Sequence, residues 1–165
     1  MHIEAMDFCW RAHKIVGPVS SVVEFGGRNV NGSARDIWPD ARWTSLDLEA
    51  GPGVDIVGDA TAVPPVVRHK YAMAISTEML EHCTHPRLAV AHMVEAATDW
   101  VLVTCATDPR AAHSAGDGGP LKGGEHYRNV EPSELEHPFL EPVLREIHDR
   151  GDLYQLARVI RPKGA

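Results

Sequence analysis

The sequence has few cysteines, no long apolar segment and no basic segment, and each of these absences argues against a class of protein. Its three cysteines, Cys9, Cys83 and Cys105, are odd in number and widely spaced, which argues against a disulfide framework. No apolar run reaches the length that spans a bilayer, and the N-terminus has no signal-peptide core, so we expect a soluble, cytoplasmic protein. The formal net charge is −7 and no cluster of Lys and Arg occurs. These features argue against binding along a nucleic-acid backbone.

The sequence also lacks a complete zinc motif. Cys83 stands between His82 and His85, a grouping that suggests metal ligands. Structural zinc requires four ligands, typically in closely spaced pairs, and no second pair is visible. The sequence therefore predicts no metal site, and Cys83 is interpreted as a reduced thiol near a polar loop.

What the sequence does contain is an alternation of short apolar segments with helical and turn-rich ones. With 165 residues, of which 44% are hydrophobic, the chain is expected to form a single domain over 1–165. Five strands that alternate with helices or short links predict a parallel sheet with layers on both faces, and a closing hairpin adds an antiparallel edge. The predicted strands are 19–25, 42–48, 54–57, 71–76, 100–105, 143–148 and 153–160, and the predicted helices are 1–15, 32–38 and 86–98, with the start of another at 132–135.

Two of the predicted helices have an apolar face that we expect to pack on the sheet. The segment 107–125 is different, because it is rich in glycine, proline and polar residues, and we predict a flexible loop at the active site. The predicted faces are Ile3, Met6 and Trp10 in helix 1–15, and Leu88, Ala91, Val94 and Ala97 in helix 86–98.

Residues suited to ligand binding fall where the predicted parallel strands end. Glu24-Phe25-Gly26-Gly27 ends the first strand, Asp47 the second, Asp59-Ala60 the third and Thr77-Glu78 the fourth. The carboxyl ends of parallel strands form one edge of a sheet, where ligands bind. Glycines let the backbone approach a ligand closely, and an acid about 20 residues beyond the glycine turn is where ribose hydroxyls are held. The sequence therefore predicts a nucleoside-binding crevice at this edge.

This pattern resembles the class I S-adenosylmethionine-dependent methyltransferases over nearly the whole chain. The family's first motif, an acid, one residue and then a glycine-rich loop, is similar to residues 24–32, although Gly26-Gly27 followed by Gly32 departs from the alternating glycines of the commonest members. Asp47 matches the second-strand acid, 57–60 the third-strand motif and 76–82 the fourth-strand motif. The resemblance implies an α/β fold: a doubly wound, Rossmann-like, seven-stranded and mostly parallel sheet with an antiparallel C-terminal hairpin strand.

The resemblance also implies S-adenosyl-L-methionine as cofactor and a small molecule or an exposed side chain as methyl acceptor. The sulfonium is an activated methyl donor, so the protein mainly has to position the acceptor. A general base helps only if the acceptor is a hydroxyl or a protonated nitrogen, and its candidates are Glu78, His82 and His126. The implied cofactor-binding residues are Glu24, Gly26, Gly27, Asn29, Asn31, Asp47, Leu48, Asp59, Ala60, Thr77 and Glu78, with Glu24 at the methionyl end, Asp47 at the ribose and Leu48, Asp59 and Ala60 at the adenine.

Two other functions are alternatives to methyl transfer, and the residues argue against the first of them. A nucleotide-binding dehydrogenase requires Gly-x-Gly-x-x-Gly, which the pair Gly26-Gly27 does not provide. A non-catalytic module that keeps the cofactor crevice and acts through protein contacts also fits the motifs. The oligomeric state is left open, with a homodimer as one option.

Overall fold

The computed structural model describes residues 2–30, 32–62 and 71–161. Seven strands form one sheet in the order β3-β2-β1-β4-β5-β7-β6. Strands β1 to β5 pair in parallel, whereas β7 is antiparallel to both β5 and β6. The fold class predicted from the sequence is confirmed. The strands are β1 Ser21–Phe25, β2 Arg42–Asp47, β3 Ile56–Val57, β4 Tyr71–Thr77, β5 Ala97–Ala106, β6 Leu140–His148 and β7 Asp152–Val159.

Helical elements cover both faces of the sheet, so that it is doubly wound. One face packs against helix α1, Ile3–Val16, and against a 3₁₀ turn at Ala34–Ile37. The opposite face packs against helix α2, Pro86–Ala96, and a 3₁₀ turn at Pro132–Leu135. The helix predicted over 32–38 is thus a short 3₁₀ turn, and the helix start predicted at 132–135 also goes no further than a 3₁₀ turn.

Both long helices form where the sequence predicts them, but the buried faces agree with the predicted ones only at Met6 in α1 and Val94 in α2. In α1, Ile3 is 79% exposed and Trp10 is 45% exposed. In α2, Leu88 is 44% exposed, and the chain enters β5 at Ala97 instead of continuing as a helix to residue 98. The faces that pack on the sheet are Ala5, Phe8, Cys9 and Ala12 in α1, and Pro86, Ala89, Val90, Met93, Val94 and Ala96 in α2.

Strand register brings the ends of the first four strands to one edge. Phe25, the last residue of β1, pairs with Leu46 on one side and with Ser76 on the other. Asp47, the last residue of β2, pairs with Val57 at the end of β3. The strand order reverses between β1 and β4, and the crevice outside such a reversal is where ligands bind in open α/β sheets.

Beyond β5 the chain runs over this edge. Residues 107–131 are all described and contain neither helix nor strand. The segment has bonds of its own, such as those from the amide of Ser114 to the carbonyl of Gly119 and from the Ser114 hydroxyl to Glu125. The flexibility predicted for 107–125 stays a prediction. Within the part of the chain that the structure describes, no helix is both long and apolar enough to cross a membrane.

Candidate active site

A cleft of about 1120 Å³ lies at the carboxyl ends of β1 to β4, beneath the segment 110–126. Its volume is ample for a small-molecule ligand, since such sites usually enclose roughly 300–1,000 Å³. Most of the residues selected from the sequence line it: Glu24, Gly26, Gly27, Asp47, Leu48, Asp59, Ala60, Thr77, Glu78, His82 and His126.

The list of cleft-lining residues does not include two of the selected residues, Asn29 and Asn31. The Asn29 side chain accepts a hydrogen bond from the Gly32 amide at 3.0 Å and so closes the loop locally, and Asn29 does not line the cleft. Asn31 lies outside the described residues.

The turn after β1 requires both of its glycines. Gly26 has φ +79°, a left-handed conformation that L side chains rarely adopt. A Cβ on Gly26 would lie 2.4 Å from Cγ of Met79, and a Cβ on Gly27 would lie 1.8 Å from Oγ and 2.9 Å from Cβ of Ser45. The amides of both glycines donate to the carbonyl of Leu46, at 2.8 and 3.1 Å. The turn is therefore held tightly against β2, and at this turn the cleft is lined by backbone atoms instead of side chains.

Asp47 is fixed by two backbone amides at the end of β2. Its Oδ2 accepts from the Arg28 amide at 3.0 Å, and its Oδ1 accepts from the Glu49 amide at 3.1 Å. A carboxylate has about four lone-pair sites, so two remain for a ligand that donates hydrogen bonds. Leu48, which follows, is 67% exposed and lines the cleft.

At the third strand end, the hydrogen bonds of Asp59 to described residues use one of its two carboxylate oxygens. Oδ1 of Asp59 accepts from both the amide and the hydroxyl of Thr61, at 2.7 and 2.8 Å. Within the described residues Oδ2 has no recorded hydrogen bond, and Asp59 is exposed at the cleft. The neighbouring Ala60 carbonyl accepts a hydrogen bond from Nδ1 of His92 at 2.9 Å, which ties this strand end to α2.

Glu24 has a buried carboxyl group, and one of its two oxygens has no hydrogen-bonding partner among the described residues. It is 3% exposed, and its Oε2 has no hydrogen bond within the described residues. The nearest cation is Nε of Arg35, at 3.9 Å, which is beyond hydrogen-bond distance. Burial raises the pKa of Glu24 to about 7, while Arg35 lowers it and Asp47 raises it by smaller amounts. A buried carboxylate oxygen that lacks a hydrogen-bonding partner and lies at the wall of a cleft can accept a hydrogen bond from a ligand.

We expect Glu24→Gln to stabilise the protein at pH 8 and to leave its stability nearly unchanged at pH 5. The folded chain holds the Glu24 proton up to about pH 7, whereas the unfolded chain releases it near its ordinary pKa of 4.5. Folding therefore binds a proton between these values, and the free energy of unfolding falls as the pH rises through that window. Glutamine removes this loss, which is worth about 1–3 kcal/mol.

Urea denaturation of the wild type and the variant at pH 5 and pH 8 measures this difference. Glu49→Gln is the matched control, because its carboxylate is largely exposed and should give the same small change at both pH values. A Glu24→Gln effect that is independent of pH would contradict the assignment of a raised pKa to Glu24.

Glu78 has an unusual backbone conformation at the end of β4. Its φ is +53°, which is uncommon for any residue except glycine and costs on the order of 1–3 kcal/mol. The Glu78 amide donates to the Thr104 carbonyl at 2.8 Å, which holds the turn in place. The side chain enters the cleft, where Oε2 lies 3.0 Å from Nδ1 of His2, and Oε1 is buried with no hydrogen-bonding partner among the described residues.

His2 is a cleft residue that sequence reasoning missed. Besides Glu78, it contacts the hairpin at the other end of the chain, with Nε2 2.7 Å from the Tyr154 hydroxyl and 3.4 Å from Oδ1 of Asp152. The hydrogen bond to Glu78 raises the pKa of His2, although burial opposes this shift. Arg110 also reaches Asp152, at 2.6 Å. No local pattern could have revealed His2, because Glu78 lies 76 positions away in the sequence and Asp152 and Tyr154 lie 150 and 152 positions away.

A second group lies below the cleft at the 3₁₀ turn Leu80–His82. Glu81 is fully buried, and burial together with the nearby Glu78 carboxylate raises its pKa to about 8, although backbone amides oppose the shift. His82 lines the cleft, and burial lowers its pKa. His126, by contrast, is exposed, and its carbonyl accepts a hydrogen bond from Nδ1 of His82 at 3.2 Å. His113, which the sequence analysis did not select, packs edge-to-face on His82 with 5.2 Å between ring centroids.

Comparison with known proteins adds information about the fold alone. No protein-family model matches the chain. No curated protein matches it either. Solved structures do resemble it, at sequence identities that carry no information about substrate.

Three of these structures cover nearly the whole chain. The 1,6-didemethyltoxoflavin-N1-methyltransferase of Burkholderia thailandensis, solved with S-adenosylhomocysteine, has a TM-score of 0.67 at 15% identity, covering 95% of this chain and 79% of its own. The N-methyltransferase NodS of Bradyrhizobium japonicum WM9, also in complex with S-adenosyl-L-homocysteine, has a TM-score of 0.67 at 15% identity, covering 96% and 87%. The [4+2]-cyclase SpnF has a TM-score of 0.66 at 12% identity, covering 95% and 81%.

The chain has the fold of the class I S-adenosylmethionine-dependent methyltransferases. The resemblance that its motifs suggested is thus matched by the sheet order and by these neighbours.

Proposed function

We propose that the protein is an S-adenosylmethionine-dependent methyltransferase that acts on a small molecule or an exposed side chain. The observation that carries the proposal is the convergence of four strand ends on one cleft at the switch point of the sheet. Neighbours with the same fold that were solved with S-adenosylhomocysteine support it.

The residues at this edge have free bonding capacity that suits the cofactor. Glu24 offers a buried oxygen that has no hydrogen-bonding partner among the described residues and that would accept from the ammonium group of the methionyl part. Asp47 has two remaining lone-pair sites, which would accept from the two ribose hydroxyls. Leu48 would pack on the adenine, and the free Oδ2 of Asp59 beside Ala60 would meet its amino edge. Gly26 and Gly27 would keep the floor of the cleft clear for the cofactor.

This arrangement would place the methyl group at the β4 end of the cleft. The bound cofactor supplies an activated methyl group, so the work left to the protein is alignment of the acceptor and exclusion of water. Thr77 and Glu78 lie where that group would project, and the segment 110–126 covers the same end of the cleft.

Three groups are available at that end to take a proton from the acceptor. His82 is half-buried with a lowered pKa, and its Nδ1 is engaged by the His126 carbonyl, which leaves Nε2 free to accept. Glu78 has one unpaired oxygen and would be oriented by His2. His126 is exposed at the rim. We propose these three as the proton-accepting groups for an acceptor that must lose a proton.

Titration calorimetry with S-adenosylmethionine, S-adenosylhomocysteine and NAD tests the proposed cofactor. We expect both sulfur nucleotides to bind with one molecule per chain and NAD to bind far more weakly. A chain that binds neither sulfur nucleotide would refute the proposal, and a preference for NAD would favour a dehydrogenase.

The transferase activity itself needs a second measurement. Release of S-adenosylhomocysteine is followed with a panel of hydroxyl, amine and carboxylate acceptors. The neighbour named as a cyclase has the same fold, so the fold alone does not establish methyl transfer. Binding without turnover on any acceptor would favour the alternative, a cofactor-binding module that acts through other contacts.

A further inference from the structure

Three side chains at the floor of the cleft have the composition of a metal site. The possible ligand atoms of Glu81, His82 and His113, a carboxylate oxygen and two imidazole nitrogens, all lie within 4.8 Å of one another. Two imidazoles and one carboxylate are a donor set that Zn²⁺ and other first-row divalent ions accept. His82 and His113 line the cleft, and Glu81 lies buried beneath them.

The buried carboxylate is the observation that points to a ligand. Glu81 is 0% exposed, and among the described residues neither of its oxygens accepts a hydrogen bond of good geometry, although the backbone amides of Glu81 and Ala106 lie near the carboxylate. Buried polar groups in proteins are nearly always hydrogen-bonded, and buried carboxylates are usually paired or bound to a metal. A cation at this place would satisfy Glu81, and it would also offset the repulsion from the nearby Glu78 carboxylate.

The two histidines are held as metal ligands usually are. Nδ1–H of His82 donates to the His126 carbonyl at 3.2 Å, and Nδ1–H of His113 donates to the Ala111 carbonyl at 3.1 Å. In each ring this leaves Nε2 unprotonated in the neutral form. Ligating histidines typically donate their other ring N–H to a carbonyl or carboxylate, which fixes the tautomer and the ring orientation.

Packing around the cluster restrains the two rings further. The Tyr127 ring contacts both, with centroid distances of 5.5 Å to His82 and 4.8 Å to His113. The Arg128 amide donates to the Glu81 carbonyl at 2.9 Å, which anchors the segment 107–131 to the 3₁₀ turn.

The ligand atoms of the cluster lie slightly farther apart than a bound ion requires. Tetrahedral Zn²⁺ sets its ligand atoms about 3.4 Å apart, so the cluster must contract slightly. His113 lies in a segment without helix or strand, where a shift of the backbone can bring its ring closer without changing the ring orientation.

We propose that Glu81, His82 and His113 bind one divalent transition-metal ion at the floor of the cleft. This departs from the sequence analysis, which predicted no metal, because the third ligand is 31 positions beyond His82 and outside any motif. Three protein ligands leave at least one coordination position of the ion open. Because His82 and His113 line the cleft, that open position would face the cleft. If the proposed transferase function holds, that position would bind an oxygen or nitrogen of the acceptor, and Glu78 and His126 would remain to take its proton.

Metal binding by the full chain tests the proposal without cofactor or acceptor. The chain is treated with a chelator, desalted and titrated with Co²⁺ followed by visible absorption, and then with Zn²⁺ by calorimetry. We expect one ion per chain and displacement of Co²⁺ by Zn²⁺. Glu81→Gln and His113→Asn should each weaken binding at least about tenfold. The matched control is His85→Asn, which changes an exposed histidine outside the cluster and should leave the affinity within about twofold.

Three outcomes overturn the proposal. They are no binding of either ion by the wild type, unchanged affinity in His113→Asn, or a loss of affinity in His85→Asn equal to that in His113→Asn. Circular dichroism establishes that each variant is folded. If Glu81→Gln does not fold, His113→Asn decides the question, since its position on an irregular segment leaves the core intact. S-adenosylhomocysteine binding, measured separately on the metal-free chain, keeps failure of the metal site distinct from failure of the transferase proposal.

Discussion

Gly27→Ala is expected to destabilise the chain by about 2 kcal/mol and to weaken S-adenosylhomocysteine binding at least about tenfold. The added methyl would lie 1.8 Å from Oγ and 2.9 Å from Cβ of Ser45. Rotation of the Ser45 side chain can move the oxygen but not Cβ, so the turn itself must shift away from β2. That shift breaks the hydrogen bonds from Gly26 and Gly27 to Leu46 and moves the floor of the cleft.

Two variants control this experiment. Gly123→Ala adds the same methyl where no atom lies within 4 Å and φ is not positive, so it should change neither stability nor binding measurably. The double variant Gly27→Ala/Ser45→Gly removes the closer of the two clashing side chains and leaves Oε2 of Glu24 at 2.9 Å, the end of a side chain that can rotate, so it should recover a substantial part of both losses. Chemical denaturation and calorimetry give the two quantities. Wild-type binding by the single variant would show that the cofactor does not pass over this turn.

Asp47→Ala is expected to weaken binding of S-adenosylmethionine and S-adenosylhomocysteine by roughly 1–3 kcal/mol, which is about 5- to 150-fold. If Asp47 holds the ribose as proposed, the variant would leave the two ribose hydroxyls without an acceptor. It also frees the amides of Arg28 and Glu49, which Asp47 now fixes at 3.0 and 3.1 Å. Both effects act on the same end of the cleft.

Calorimetric binding of adenosine, compared with binding of a nucleoside that lacks the ribose hydroxyls, separates these two effects. Wild-type protein should discriminate strongly between them, and Asp47→Ala should not. Glu49→Ala is the control, since its side chain is exposed and, in the part of the chain that the structure describes, its one ion-pair partner is Arg28. If Asp47→Ala binds both sulfur nucleotides as tightly as wild type does, Asp47 does not hold the ribose.

The strand ends could be predicted from the sequence because their signals are local. Each is a short apolar run followed by an acid or a glycine, and parallel pairing then places all four at one edge. Glu24, Asp47, Asp59 and Glu78 were selected in this way, and all four line the same cleft. Cofactor binding by these residues stays a prediction that the experiments above test.

The helix faces show where such reasoning fails. In α1 the face on the sheet contains Ala5, Cys9 and Ala12, and side chains of this size let a helix lie close to a sheet. A search for large apolar residues instead selected Ile3 and Trp10, which are exposed.

In α2 the error lay in the spacing. The predicted face from Leu88 to Ala97 repeats every third residue and therefore drifts around the helix by about 60° per step. The buried residues from Pro86 to Val94 fall at positions i, i+3, i+4, i+7 and i+8 and therefore stay on one side of the helix. Amphipathic periodicity located both helices, but the predicted faces matched the buried ones only in part, at Met6 in α1 and at Val94 in α2.

Contacts between distant parts of the chain could not be predicted at all. His2 reaches Tyr154, and His113 reaches His82 and Glu81, through a fold that brings the first residues, the covering segment and the closing hairpin together. A histidine in a sequence with ten of them carries no signal of its own. Only the geometry distinguishes these two from the others.

The position of His2 affects how the protein should be handled in the laboratory. Its imidazole touches Glu78 inside the cleft, so a peptide fused ahead of it would begin at the mouth of the binding site. An oligohistidine tag there would also bring extra imidazoles close to the proposed ion. Purification handles are therefore better attached after the last strand, β7, and an N-terminal one should be cleaved before any titration.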